Sequence, residues 1–257
     1  MSRKSKDILG KLAAIFFWLL VWQIAAAAVS QEILLVSPLR VLARLGELVR
    51  TPTFFAAVGA TLLRIMGGFV LAVCAGTLLA VLTARFAFCK VLFAPLLGIV
   101  KATPVASFIL LALVWMHTGF VPVFISFLMV LPVVWSNVEQ GILQTDPQLL
   151  EMARAYGFSG QKMLRYIYVP SVLPYFQAAL STGLGMGWKS GVAAEVICLP
   201  KASMGRALYQ AKLYLETPDL LAWTVMVVCL SMLIEWGLGK LMALAFCTHG
   251  VQEGGAI

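Results

Sequence analysis

The chain has 257 residues, 61% of them apolar and only 12% charged, against about 25% charged in an ordinary soluble domain. Its mean hydropathy is +0.96 and its formal net charge +8. This balance excludes a disordered chain, a collagen-like fibre and a small disulfide-stapled scaffold, and it leaves too few charges to clothe a soluble surface. An all-α integral membrane protein remains, and six helices of about 20 residues each would use roughly half the chain.

In a soluble protein the excess of 19 Lys and Arg over 11 Asp and Glu would suggest nucleic acid. In a membrane protein it reflects loops held against anionic lipid, so no nucleic-acid partner is expected. The five cysteines show no CxxC or Cys/His spacing and read as small core hydrophobes. His117 and His249 are isolated and make no metal site.

Leu12 to Val29 is uncharged and follows Arg3, Lys4, Lys6 and Lys11. Its apolar run is longer than a signal-peptide core, so it is read as an uncleaved first span. Val41, Leu42, Leu45, Leu48 and Val49 then mark one face of a helix, with Arg40, Arg44, Glu47 and Arg50 between them. That pattern predicts an amphipathic helix lying in the interface. Ile65 to Ala84 is the second span, bounded by Arg64 and Arg85.

From Ala102 to Val138 there are 37 residues without a charge. One helix of that length overshoots a bilayer, and His117-Thr118-Gly119 with Pro122 offers a turn near its middle. The expectation is two short spans joined by a tight hairpin, with Pro104 and Pro132 as kinks. Ser171 to Trp188, continuing to Glu195, is the fifth span, and Leu220 to Cys247 the sixth.

Six spans put both termini on one side. On that side fall Arg3, Lys4, Lys6, Lys11, Arg85, Lys90, Lys101, Arg154, Lys162, Arg165 and Lys240. The other side holds Arg40, Arg44, Arg50, Lys201, Arg206 and Lys212. The bias makes both termini of this multi-pass protein cytoplasmic. The expected organisation is a cytoplasmic N-terminus over 1–11, a single membrane domain over 12–248 and a cytoplasmic tail over 249–257.

The loop over 139–170 is the most informative segment. Thr145-Asp146-Pro147 is a helix start, with a capping side chain and proline at the first helical position. Gly157 suits a left-handed C-cap, and Ser159 can cap a second helix that Pro170 ends or bends. A short helix–turn–helix is predicted. Leu149, Leu150, Met152, Ala153 and Tyr156 form an apolar knob beside Glu151 and Arg154, a shape that a groove in a partner protein accepts.

Glu151-Met152-Ala153, Gly157, Ile167 and Pro170 fall at the spacing of the "EAA" loop: Glu-Ala-Ala, three residues, Gly, nine residues, Ile-x-Leu-Pro. The chain here resembles the permease subunits of binding-protein-dependent ABC importers. Met152 replaces the first Ala and Val169 the Leu. Pro104-Val105-Ala106, Leu149-Leu150-Glu151 and Val192 to Ile197 look like the nitrate/sulfonate/taurine subgroup. The likeness covers most of residues 60 to 245 and is sharp only at the loop.

The resemblance implies a type I importer fold in which two permease subunits, here a homodimer by default, form a pore fed by a soluble solute-binding protein. It implies that Glu151, Ala153, Arg154, Gly157, Ile167 and Pro170 couple the pore to two copies of an ATP-binding subunit. ATP and Mg²⁺ then belong to that subunit, and this chain holds no cofactor and is not an enzyme. In keeping, no GxxxxGK[ST] is present: Gly239-Lys240 is followed by Leu241 and has Ile234 at the first glycine position.

Lys189, Glu195 and Glu235 lie in apolar runs, where a charge needs a partner or water. Lys189 and Glu195 are six residues apart, about 120° around a helix, and do not pair on one straight helix. Candidate pathway residues are Lys189, Trp188 and Glu195. Lys189 either attracts an anionic solute (a sulfonate, nitrate or carboxylate) or pairs with a carboxylate of a neighbouring helix. Glu195 fits a structural or gating role better than solute contact. The same three charges also admit a second reading, an ion-coupled secondary transporter.

Overall fold

The computed structural model describes residues 3–29, 31 and 35–247. The expected tail over 249–257, with His249, lies outside them. Every regular element among the described residues is helical, which is the expected class. The elements are α1 (Arg3–Val29), α2 (Pro38–Leu48), α3 (Pro52–Arg85), α4 (Ala87–Ala102), α5 (Val105–Trp115) and α6 (Val121–Leu143). Then come α7 (Pro147–Ala155), α8 (Gly160–Met163), a π turn (Leu164–Tyr168), α9 (Val169–Cys198), α10 (Met204–Leu213) and α11 (Thr217–Cys247).

The core is the layer α3, α6 and α9. A Cβ on Gly68 would fall 2.3 Å from the Val123 carbonyl oxygen, and one on Gly76 3.0 Å from Val134 Cβ. With Ala72 and Ala80, both fully buried, these positions recur every fourth residue and lay a flat strip of α3 against α6. Gly183, Gly187 and Gly191 make the same strip on α9, against Val130, Ser126 and Ile65. In lipid the hydrophobic effect does not drive helices together, so close approach of small residues carries the packing. The contacts ascend α3 and α6 together but descend α9, so α3 and α6 run parallel and α9 antiparallel to both.

α3, α6 and α11 are each long and apolar enough to cross a bilayer, as is α4 with α5 if the bent pair is one span. The apolar part of α1, Ala13–Val29, is shorter. α9 is less apolar because it carries Gln177, Lys189 and Glu195, yet its 30 residues reach about 45 Å. Its packing between α3 and α6 shields much of it from lipid.

Two spans differ from the sequence reading. α3 starts at Pro52, 13 residues before the uncharged run, because Arg64 finds partners inside the protein and does not end the helix. The third span is not a helix opening at Ala102. α5 has 11 residues, about 16 Å, half a bilayer. It joins α4 at a 107° bend where Thr103 is extended before Pro104. α4 was hidden in the sequence because Lys90 and Lys101 make it look like a loop. Both lysines are used by α6: Lys101 Nζ donates to Ser136 Oγ at 2.9 Å, and Lys90 Nζ lies 3.3 Å from Glu139, an ion pair without hydrogen-bond geometry. Of the cysteines with described side chains only Cys198 is buried; Cys74 and Cys229 are exposed, so the core reading holds for one.

α2 is amphipathic as expected. Val41 is buried with Val36 and with Ala222 of α11. Its polar edge is tied to α11 as well: Arg44 donates from Nη2 to Asp219 Oδ2 at 3.0 Å and from Nη1 to Glu47 Oε2 at 2.7 Å. These hydrogen bonds, Asp219 first, raise the Arg44 pKa above its ordinary value.

Candidate functional site: the projecting loop and the two charges of α9

The loop between α6 and α9 is built from local signals. Asp146 Oδ1 accepts from the Gln148 amide at 2.8 Å and caps α7, and Pro147 stands where no intrahelical partner is needed. Gly157 has φ +67°, and the amides of Gly157 and Phe158 donate to the carbonyls of Arg154 and Ala153. That is the paired hydrogen bonding that stops a helix at a left-handed glycine. Ser159 Oγ then accepts from the Lys162 amide at 3.5 Å and starts α8. Pro170 does not end that helix. The π turn absorbs the missing amide, and α8, the turn and α9 continue as one rod.

The six loop residues named from sequence are divided between two tasks. Ala153 and Ile167 are buried and anchor the loop. Glu151, Arg154, Gly157 and Pro170 are exposed. Leu149, Met152 and Tyr156 form an outward apolar ridge, with Tyr156 77% exposed. Among the described residues nothing covers the ridge, and exposed apolar residues of this size in a row on a short helix suit a groove-type partner.

The pathway candidates separate more sharply. Trp188 is 2% exposed, and its indole Nε1 donates to the Val227 carbonyl at 3.2 Å; it fastens α9 to α11. Glu195 is fully buried. Its Oε2 accepts from Thr61 Oγ1 at 2.7 Å and from the Gly205 amide at 3.3 Å, and its Oε1 from Arg64 Nη1 at 3.2 Å. Arg64 also donates to the carbonyls of Lys201 and Ala202, the latter a residue at φ +46°. Thr61 Oγ1 accepts from the Met204 amide at 3.0 Å, and Ser203 Oγ from that of Arg206. All of the first three amides of α10 are therefore satisfied, and the carboxylate lies at the positive end of that helix. Glu195 and Trp188 are spent on holding the fold, and only Lys189 of the three is open.

Lys189 is exposed and forms no hydrogen bond or ion pair within the described residues. It stands on an open stripe of α9 with Thr182, Met186 and Ala193. Sequence reasoning missed Arg64, Thr61 and Gly205. Arg64 bounding an apolar run was a signal for the first. The four-residue spacing of small residues in α3 and α9 was a signal for the close packing. Nothing local pointed to Gly205. The secondary-transport reading loses a member, since Glu195 is bound to Arg64 and is not available as a relay.

Comparison with known proteins identifies the family and agrees with the helical fold. Residues 72–239, from the middle of α3 into α11, match the family model for "Binding-protein-dependent transport system inner membrane component". The taurine transport system permease protein TauC of Escherichia coli is 24% identical over 97% of this chain and 92% of its own length. The nitrate import permease protein NrtB of Synechococcus elongatus is 25% identical over 76% of this chain and 73% of its own. Among solved structures, an amino acid ABC transporter aligns with a TM-score of 0.60 at 20% identity, covering 78% of this chain and 95% of that one. A bacterial alginate ABC transporter in complex with a periplasmic protein aligns with a TM-score of 0.57 at 14% identity, covering 93% and 94%. With the family match running from the second half of α3 through α6, the projecting loop and both charges of α9, the chain belongs to the inner membrane components of binding-protein-dependent transport systems: it is an ABC importer permease, a transporter subunit.

Proposed function

We propose that two copies of this chain form the translocation pathway of an importer for a small anionic solute, and that each copy is driven through α7 by one of two ATP-binding subunits. The observation that carries the coupling half is the exposed ridge of Leu149, Met152 and Tyr156, held at a fixed angle by the Asp146 cap and the Gly157 stop. Burying the ridge in a cleft removes apolar area from water at about 25 cal/mol per Å². Glu151 and Arg154 at its rim set the orientation. The unbroken rod from α8 through the π turn into α9 carries a displacement of the loop into the core layer. On this reading the loop end and both termini face the cytoplasm, the membrane is the inner membrane, and ATP with Mg²⁺ is bound by the partner alone.

The solute half rests on Lys189, a cation that forms no ion pair among the described residues and stands on an open stripe of α9. The names of the relatives, taurine and nitrate permeases, fit a small oxyanion-bearing solute. Delivery by a soluble binding protein follows from the family, and the segment from Pro200 to Asp219 is a receiving surface on the far side. Its basic residues Arg206 and Lys212 are then the contacts to test: charge reversal at either weakens stimulation of ATPase activity by the binding protein.

The experiment is co-purification from membranes. Wild type captures an ATP-binding subunit in equal amount. Tyr156→Asp with Met152→Asp places two charges in a buried cleft and abolishes capture while the permease itself remains folded. Full capture by that variant rejects the coupling reading.

A further inference from the structure

The open charge of α9 has a carboxylate at hand on the next helix. Glu235 of α11 is exposed, and its Oε1 lies 3.4 Å from where a Cβ on Gly185 would stand. Gly185 is one turn before Lys189 on the same side of α9. Side chains lean toward the N-terminus of their own helix. On α9 that brings Lys189 back toward Gly185. On α11 it carries Glu235 toward Ser231, whose hydroxyl donates to Oε1 at 3.4 Å. Because α9 and α11 run in opposite directions, the two leanings converge. The alternative carboxylate, Glu195, is fully engaged by Arg64, Thr61 and Gly205. A lysine stem spans about one helical turn, the separation of Gly185 and Lys189, so the Lys189 ammonium can reach the level at which Glu235 approaches α9.

We propose that Glu235 is the resident counter-ion of Lys189 and that a small oxyanion exchanges with it. With the site empty, Lys189 folds back onto Glu235 and ties α11 to α9 inside the membrane. The arrangement in the structure, with Lys189 on the open stripe and Glu235 accepting from Ser231, is the released one, and an anion at Lys189 holds it. The proposal rests on the reading of Lys189 as the cation of an anion pathway. It adds that α11 senses occupancy: a tie between two spans is released when solute arrives. Glycine at 185 serves this exchange, since the space a side chain would fill is where the two charges meet.

The test uses the full chain with its co-purified ATP-binding subunit in lipid nanodiscs, in four forms: wild type, Lys189→Met, Glu235→Gln and both together. Sodium nitrate is the anion probe and sodium gluconate the ionic-strength control. Without nitrate, each single variant melts about 2–4 °C below wild type and the double variant no lower than the worse single. Losses that add fully overturn the pair. With nitrate, wild type is stabilised, Glu235→Gln is stabilised more and at lower concentration, and Lys189→Met shows no shift. A nitrate shift equal in Lys189→Met, or absent from every form, overturns the exchange. Loss of the ATP-binding subunit from wild type fails the importer reading instead and leaves the melting cycle able to judge the pair by itself.

Discussion

Glu195 and Lys189 sit six residues apart on one helix and meet opposite fates. Glu195 has three hydrogen-bond donors and no exposure; Lys189 has exposure and no partner. The difference teaches that a charge in a membrane span is not in itself a sign of solute contact. The informative property is whether its hydrogen bonds are already made. A satisfied charge fixes geometry, and one left open is available to something that comes and goes.

The largest expected effect breaks the satisfied side. Glu195→Ala removes the counter-charge of Arg64 and the acceptor of the Gly205 amide and the Thr61 hydroxyl, and removing one member of a buried pair costs about 3–5 kcal/mol. Expression in membranes and the melting temperature of the purified complex both fall; Lys189→Met, by contrast, keeps wild-type yield. Next comes Gly187→Leu, which drives a side chain into Val130 and Ser126, where a Cβ alone would be 2.8 Å from the nearest atom. Overpacking of this kind costs about 1–3 kcal/mol or more, read by the same melting curves.

A smaller change sharpens the contrast between the two ends of α9. Gly157→Val strains a backbone at φ +67°, at about 1–2 kcal/mol, and tilts α7. ATPase capture drops while the core layer stays intact, read as continued protection from thiol reagents of Cys198, which is buried against α6. Smallest is Arg44→Met. The guanidinium bridges Asp219 and Glu47 near the membrane surface, where such pairs are worth about 0–1 kcal/mol. A melting shift larger than that of Gly187→Leu would show that α2 is a structural member and not a surface helix.

What was legible in the sequence was local. Asp146, Gly157 and Ser159 act within three residues of themselves, so cap, stop and restart of the loop were all readable. The apolar runs of α6 and α11 were readable because each is longer than a bilayer is thick. The Arg64–Glu195 pair spans 131 positions, and no local pattern announces it. Its absence from the reading is also why the start of α3 was placed too late. α4 failed for a related reason: Lys90 and Lys101 look like loop charges until Glu139 and Ser136 of another helix meet them. The π turn before Pro170 was invisible because a proline ends most helices, and a single i→i+5 register shift is enough to let one pass.

The Arg64–Glu195 pair also constrains how the protein is made. α3 leaves the ribosome well before α9, with an arginine 12 residues past its start and its partner Glu195 not yet made. At about 5–20 residues per second, the intervening 131 residues take roughly 7–26 s to synthesise. For that interval Arg64 has to stay at the headgroup level by extending its stem toward water, so newborn α3 enters shallow or tilted. It reaches its final depth only when α9 delivers the carboxylate, so the packing of α3 is settled by a helix made long after it.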